Sequence, residues 1–259
     1  MASKGIIDLG LLISILLGVG FVIGSACVFN NYIDRDIDKL MKRTRNRALA
    51  SQSITPTNAL LFGSLLGSVG FGLLISFTNL LTVGLGLFAM ISYLAFYGFA
   101  KRRSVHGTLV GSIPGALPPV AGYTAVTGSL DLGSLLLFLA LVFWQMSHFY
   151  AIALFRIKDY KAADIPVRPI IKGPLNTRRQ ILGYILLFIA VLPLFVVFEY
   201  SSYIFLTVVL AVSLRWIYLV AQGFDKSVDD AAWARRIFGF SLLVLLSFSF
   251  MLSVDSTFF

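Results

Sequence analysis

The chain has 259 residues, of which 58% are hydrophobic and only 13% charged. A soluble domain carries about 25% charge, so this composition, with a mean hydropathy of +0.89, excludes an ordinary soluble fold and points to a polytopic membrane protein. One cysteine, Cys27, and two histidines, His106 and His148, exclude a disulfide framework and a metal centre built from cysteine or histidine. The net charge of +9 is read as membrane topology rather than as a nucleic-acid surface.

A bilayer core of about 30 Å needs about 20 apolar residues in a helix. Eight runs qualify, at 9–33, 57–77, 80–100, 105–126, 131–155, 177–199, 202–222 and 234–254. The first continues too long for a signal peptide and lacks a small-residue cleavage pattern. "FTN" at 77–79 reads as a tight turn between the second and third. The fourth, rich in Gly and Pro, is expected to be a kinked, buried span, because neighbouring helices must satisfy the freed backbone groups. Loops after spans one, three, five and seven hold nineteen of the 21 Lys and Arg. The opposite loops hold Asp131, Glu199 and Asp255, with Lys4 as their single base; Arg215 lies inside the seventh span, without a sequence-level account. The basic side is cytoplasmic by the positive-inside rule. The expected organisation is one integral domain, 1–259, folded as an all-α transmembrane bundle of about eight spans.

Between spans one and two lies "FNNYIDRDIDKLMKRTRNRAL", residues 29–49. Asn30, Asp34 and Asp38 recur at i, i+4 and i+8, about 6 Å apart in rise along one helix face. An amide and two carboxylates at a membrane boundary are costly unless used, and the set suits a hard cation such as Mg2+, which bridges carboxylates to phosphate oxygens. Asp36 points off this stripe, toward solvent, Arg35 or Lys39. Lys39, Lys42, Arg43, Arg45 and Arg47 follow; they suit phosphate oxygens, or form a solvated helix end that sets topology. A second patch, "HFYAIALFRIKDYKAADIPVRP", carries His148, Arg156, Lys158, Asp159, Lys161, Asp164 and Arg168, and Asp159 with Asp164 could complete a second metal site. His148 either contacts a bound group or bonds a neighbouring helix, and His106 reads as interfacial. Lys101, Arg102 and Arg103 are anion contacts or a topology-setting loop.

Four segments then carry a resemblance: "NNYIDRDIDKLMKRTRNRAL", "KRRSVHGTLVGSIPGALPPVAGYTAVTG", "WQMSHFYAIALFRIKDYKAADIPV" and "WARRIFGFSLL". The first is similar to the Asn-x3-Asp-x3-Asp signature of the intramembrane aromatic prenyltransferases, the superfamily of 4-hydroxybenzoate polyprenyltransferase. Together they resemble its protoheme IX farnesyltransferase (heme O synthase) family over essentially the whole chain. The resemblance implies a bundle around a central cavity open to lipid, in the cell inner membrane, with its active-site loops on the cytoplasmic side. It implies transfer of farnesyl from farnesyl diphosphate to the 2-vinyl group of heme b with addition of water, giving heme O and diphosphate. By that pattern Asn30, Asp34, Asp38 and Asp159 are catalytic and hold Mg2+. Arg43, Arg47, Lys101, Arg156 and Lys158 meet the diphosphate, while His148 and Arg102 meet heme, which is a substrate and not a cofactor. Implied partners are the lipid bilayer and the next heme-modifying enzyme or terminal oxidase assembly.

The chain departs from the family pattern at three points. Phe155 stands where a fuller second motif has an aspartate, and Ala48 where a proline is common. The resemblance implies nine spans, and the first of these, with its Thr-Lys-Pro element, is expected to be missing from a chain that reads as eight. Other expectations weighed are a different aromatic acceptor (4-hydroxybenzoate or a naphthoate), a small transporter, and an inactive shortened form.

Overall fold

The computed structural model describes residues 8–225 and 227–258; Lys4 and Lys226, used above for topology, lie outside the described residues. In chain order the helices are α1 (Leu9–Ile33), α2 (Arg35–Asp38), α3 (Pro56–Phe77) and α4 (Leu80–Ile91), which runs through a π-helical turn (Ser92–Tyr97) into α5 (Gly98–Arg103). Then come α6 (Gly107–Thr127), α7 (Leu132–Phe155), α8 (Ile157–Ala162), α9 (Arg168–Ile171), α10 (Pro174–Val197), α11 (Tyr203–Ala221) with a short 3-10 turn (Gln222–Phe224), and α12 (Asp230–Phe258). Among the described residues there is no strand, as the all-α expectation requires.

The helix starts follow local chemistry. Asp8, Thr55, Asn79, Asp131 and Ser202 each accept a hydrogen bond from a backbone N–H in the following first turn, satisfying donors that have no intrahelical partner. Pro56 opens α3, where its missing N–H costs nothing. Gly128, at φ 68°, closes α6 in the left-handed conformation.

All eight expected spans are long helices, and seven are long and apolar enough to cross a membrane. The remaining one, α6, carries Pro114, Pro118 and Pro119 inside it among Gly, Ser and Thr, which lowers its hydropathy. It buries nine residues, from Gly107 to Thr124, so this span meets protein over much of its surface, as the sequence suggested.

By packing, the chain forms two compact units, one of residues 8–129 with 158–167 and the other of 130–157 with 168–258. In the first, α1 packs against α3 through glycines. A Cβ on Gly70 would lie 2.9 Å from the Gly18 carbonyl oxygen and 2.9 Å from the Val22 nitrogen, so only the absence of a side chain permits this approach. Ser25 Oγ donates to the Gly63 carbonyl at 2.7 Å across the same interface. In the second unit, α7 packs between α10 and α12, and Phe188, Phe195, Phe205 and Phe248 meet with centroids 5.7–5.8 Å apart. Buried Arg178 pairs there with Asp230 and lies 5.0 Å from the Trp233 ring.

Candidate active site

The first unit holds the stripe. Helix α1 stops at Ile33, and Asp34 bridges it to α2 with φ −90° and ψ 2°. Hydrogen bonds nevertheless run from the Asp34 N–H to the Asn30 carbonyl (2.8 Å) and from the Asp38 N–H to the Asp34 carbonyl (2.9 Å). The i, i+4, i+8 alignment therefore survives the break, as the spacing predicted. All three side chains are buried, at 7%, 0% and 1% exposure for Asn30, Asp34 and Asp38.

Buried carboxylates require compensation, and here it comes from three cations. Lys101 Nζ lies 2.5 Å from Asp34 Oδ2, and Arg102 Nη2 lies 3.3 Å from Asp34 Oδ1. Arg47 Nη1 lies 2.8 Å from Asp38 Oδ2. Thr44, also buried, donates its hydroxyl to the Asp38 carbonyl at 3.0 Å and so ties down the turn that carries Arg43 and Arg47. Two acceptors have no hydrogen-bond partner: Asn30 Oδ1 and Asp38 Oδ1. An orphaned buried acceptor costs about 1–3 kcal/mol, and two hard oxygens orphaned on one stripe fit a hard cation. No group of three His, Cys, Asp or Glu gathers as a metal cluster among the described residues, so an amide oxygen has to share in any such site.

Asp36 lies off the stripe and largely in solvent, as expected, but its charged partner is neither Arg35 nor Lys39. Arg35 donates instead to the Tyr32 carbonyl (2.6 Å) and stacks 4.3 Å from its ring. The partner of Asp36 is Arg102, which donates from Nη1 to Oδ2 (2.8 Å) and from Nη2 to Oδ1 (2.7 Å). This guanidinium holds the Asp36 carboxyl at a pKa of about 2. Arg102 also reaches the Ile33 carbonyl at 2.9 Å, so this residue, assigned to heme by resemblance, sits with its terminal nitrogens on protein acceptors.

Asp159 belongs to the same unit. Its Oδ1 accepts from the Lys42 backbone N–H at 3.1 Å, while Ala163 and Ile165 pack on Ile37 and Met41 with Tyr160 and Val167 beside them. The segment after the fifth span is thus seated on the segment after the first. Arg43 and Lys158 are exposed in this unit, as is Asp164, which has φ 51°. Arg156 and His148 belong to the other unit. There His148 bonds a neighbouring helix, one of the two alternatives read for it: Nδ1 lies 2.7 Å from Ser241 Oγ. Since that hydroxyl donates to the Phe238 carbonyl at 2.6 Å, the Nδ1–H is the donor to it. Trp144 stacks on the ring at 4.9 Å and Phe238 lies at 4.7 Å. Arg215 is exposed and lies 4.7 Å from the Tyr218 ring on its own helix.

Sequence reasoning missed how Lys101 and Arg102 reach Asp34. The π-helical turn Ser92–Tyr97 precedes them, and one extra residue in a helix rotates everything after it by about 100°. Tyr93 and Tyr97 of this turn stack with centroids 5.5 Å apart, and Lys101 Nζ lies 5.9 Å from the Tyr97 ring. Hydropathy carries no signal for such a turn.

The profile of the UbiA prenyltransferase family matches residues 1–245. The chain belongs to the UbiA prenyltransferase family. Among UbiA relatives, the protoheme IX farnesyltransferase of Photorhabdus laumondii is 47% identical over 98% of this chain and 87% of its own length. That of Yersinia pseudotuberculosis is 48% identical over 98% and 86%. Two solved UbiA-fold structures share the architecture. A digeranylgeranylglyceryl phosphate synthase aligns at TM-score 0.80 with 16% identity, over 100% of this chain and 90% of its own. A UbiA homolog from Archaeoglobus fulgidus bound to GPP and Mg2+ aligns at 0.69 with 16% identity, over 95% and 89%. The chain is therefore a membrane-embedded prenyltransferase of the UbiA fold.

Proposed function

We infer that this chain transfers the farnesyl group of farnesyl diphosphate to the 2-vinyl group of heme b, with addition of water, giving heme O and diphosphate. The observation that carries this reading is 47–48% identity to protoheme IX farnesyltransferases over 98% of the chain. The family match spans residues of both compact units, in keeping with one functional domain over 1–259.

Asn30, Asp34 and Asp38 are the residues that would hold Mg2+, with Asp159 as the further ligand that the resemblance implies; the Mg2+ bound by the Archaeoglobus homolog supports metal dependence. When bound, the ion neutralises charge on the departing diphosphate. Arg47, Arg43, Lys101 and Lys158 supply further positive charge to the same oxygens, the electrostatic stabilisation that lowers the barrier to ionisation, and Arg156 is assigned to the diphosphate by the resemblance alone. The allylic C–O bond breaks, the farnesyl cation adds to the vinyl carbon of heme b, and water captures the cation left beside the porphyrin, losing a proton. His148, in its aromatic setting, is assigned to the heme side.

By the positive-inside rule the nineteen basic loop residues favour active-site loops on the cytoplasmic side, and the resemblance assigns the chain to the cell inner membrane. A farnesylated heme partitions into lipid, so the next heme-modifying enzyme or terminal oxidase assembly is the natural recipient. Membranes carrying the chain, incubated with farnesyl diphosphate and heme b, should yield heme O by mass spectrometry. Unchanged heme alongside prenylated 4-hydroxybenzoate would overturn the choice of acceptor.

A further inference from the structure

We propose that Arg102, anchored by Asp36, is the positioning residue that aims Asp34, and that Lys101 is the cation that gives way when Asp34 takes a metal. The proposal rests on the metal reading above. It starts from the break between α1 and α2. Arg102 meets three features of that break: the Ile33 carbonyl (2.9 Å), an acceptor at the end of α1; Asp34 Oδ1 (3.3 Å); and both oxygens of Asp36 (2.7 and 2.8 Å). A guanidinium has a rigid planar fork, so four contacts fix it, and through it they fix the direction of the Asp34 carboxylate.

The two oxygens of Asp34 then differ. Oδ1 faces Arg102, whose other contacts hold it in place. Oδ2 faces Lys101 at 2.5 Å, a point charge on a flexible stem that loses a single hydrogen bond by leaving. Oδ2 is therefore the oxygen free to pass to a metal, and the released Lys101 ammonium is then available to diphosphate oxygens. Asp36, off the stripe and 61% exposed, gains a role as the anchor that keeps Arg102 at the break. Exposed ion pairs contribute little to stability, so removing this one spares the fold.

Mn2+ binding, followed by electron paramagnetic resonance on the full chain in lipid nanodiscs with inorganic diphosphate present, reads the site without turnover. Asp36→Asn and Arg102→Lys are expected to weaken Mn2+ binding about 10–100-fold, the usual effect of losing a partner that orients a ligand, and to leave heme b binding by absorbance titration unchanged. Lys101→Met is expected to tighten Mn2+ binding when diphosphate is absent. Parent-like Mn2+ affinity in both orienting variants overturns the proposal, and loss of heme b binding instead would make Arg102 an acceptor contact. A parent chain that binds no Mn2+ with diphosphate overturns the metal reading and this inference together. Should Arg102→Lys lose helicity, Asp36→Asn, at an exposed position, decides the matter.

Discussion

At the scale of single residues, the two buried carboxylates of the stripe, Asp34 and Asp38, are each matched by a named cation. Asp38 and Arg47 show what that matching demands. Arg47→Gln leaves a buried carboxylate uncompensated, which costs about 3–5 kcal/mol in a dry site and less here, because Arg47 is 37% exposed. The double variant Arg47→Gln/Asp38→Asn should regain most of the lost thermal stability but none of the lost turnover. Turnover by Arg47→Gln alone should fall about 100–1000-fold, and the double-mutant cycle separates the two effects. The pair Asp36–Arg102 predicts a pH dependence. Asp36 has a depressed carboxyl pKa, about 2 in the fold against about 3.9 unfolded. Its contribution is therefore present above about pH 4 and lost as pH falls toward 2. The melting difference between the parent and Asp36→Asn should be constant from pH 5 to 8, within the plateau this sets, and shrink on acidification below it. The stripe itself was legible because a helical repeat fixes which residues share a face. The partner of Asp36 was not, since it lies 66 positions away on another helix.

Elements set where those residues stand. The close approach of α1 and α3 at Gly18 and Gly70 holds α1, and hence the stripe at its end, against a neighbour. Gly70→Val puts side-chain atoms where backbone atoms lie 2.9 Å from the Cβ position, and backbone cannot move aside cheaply. The expected loss is about 1–3 kcal/mol, seen as a lower melting temperature in detergent. The π-helical turn makes a sharper test. The turn holds one residue more than a regular helix, so deleting exposed Ala95 should restore a regular α-helix with Lys101 and Arg102 still facing Asp34. Helicity by circular dichroism and Mn2+ binding should then both persist, and lost Mn2+ binding would show that the turn itself positions the two bases. Helix existence was readable along nearly the whole chain, since long apolar runs leave few alternatives in lipid. The rotation was not readable, because "SYLAFY" is as apolar as an ordinary helical turn. In α6 composition gave the opposite difficulty: three internal prolines argue against a helix, and protein neighbours override them.

For the whole molecule, orientation in the bilayer is the property most fully written in the sequence, because loop charge is a summed quantity that tolerates errors at any one position. With Cys27→Ser as background, Ser53→Cys should react with an impermeant maleimide from the cytoplasmic side, and Ser129→Cys from the opposite side. Both positions are exposed, so accessibility reports sidedness. Reversed labelling would refute the cytoplasmic assignment of the active-site loops. What composition could not give at this scale is the division into two units, in which residues 158–167 leave the second and join the first. That allegiance includes a small apolar contact, Ile37 and Met41 with Ala163 and Ile165, and the hydrogen bond from the Lys42 N–H to Asp159.

That hydrogen bond, from the Lys42 N–H to Asp159, closes a separation of 117 residues. A ribosome working at about 5–20 residues per second needs about 6–23 s to make the intervening chain. Throughout that interval the turn bearing Arg43 and Arg47 has been synthesised but lacks the segment that seats on it. The diphosphate face of the site is therefore completed late in biosynthesis, after the fifth span has been inserted. Nascent chains halted before residue 158 should show the 39–47 turn open to protease, and chains halted after residue 167 has left the ribosome and insertion machinery should show it protected.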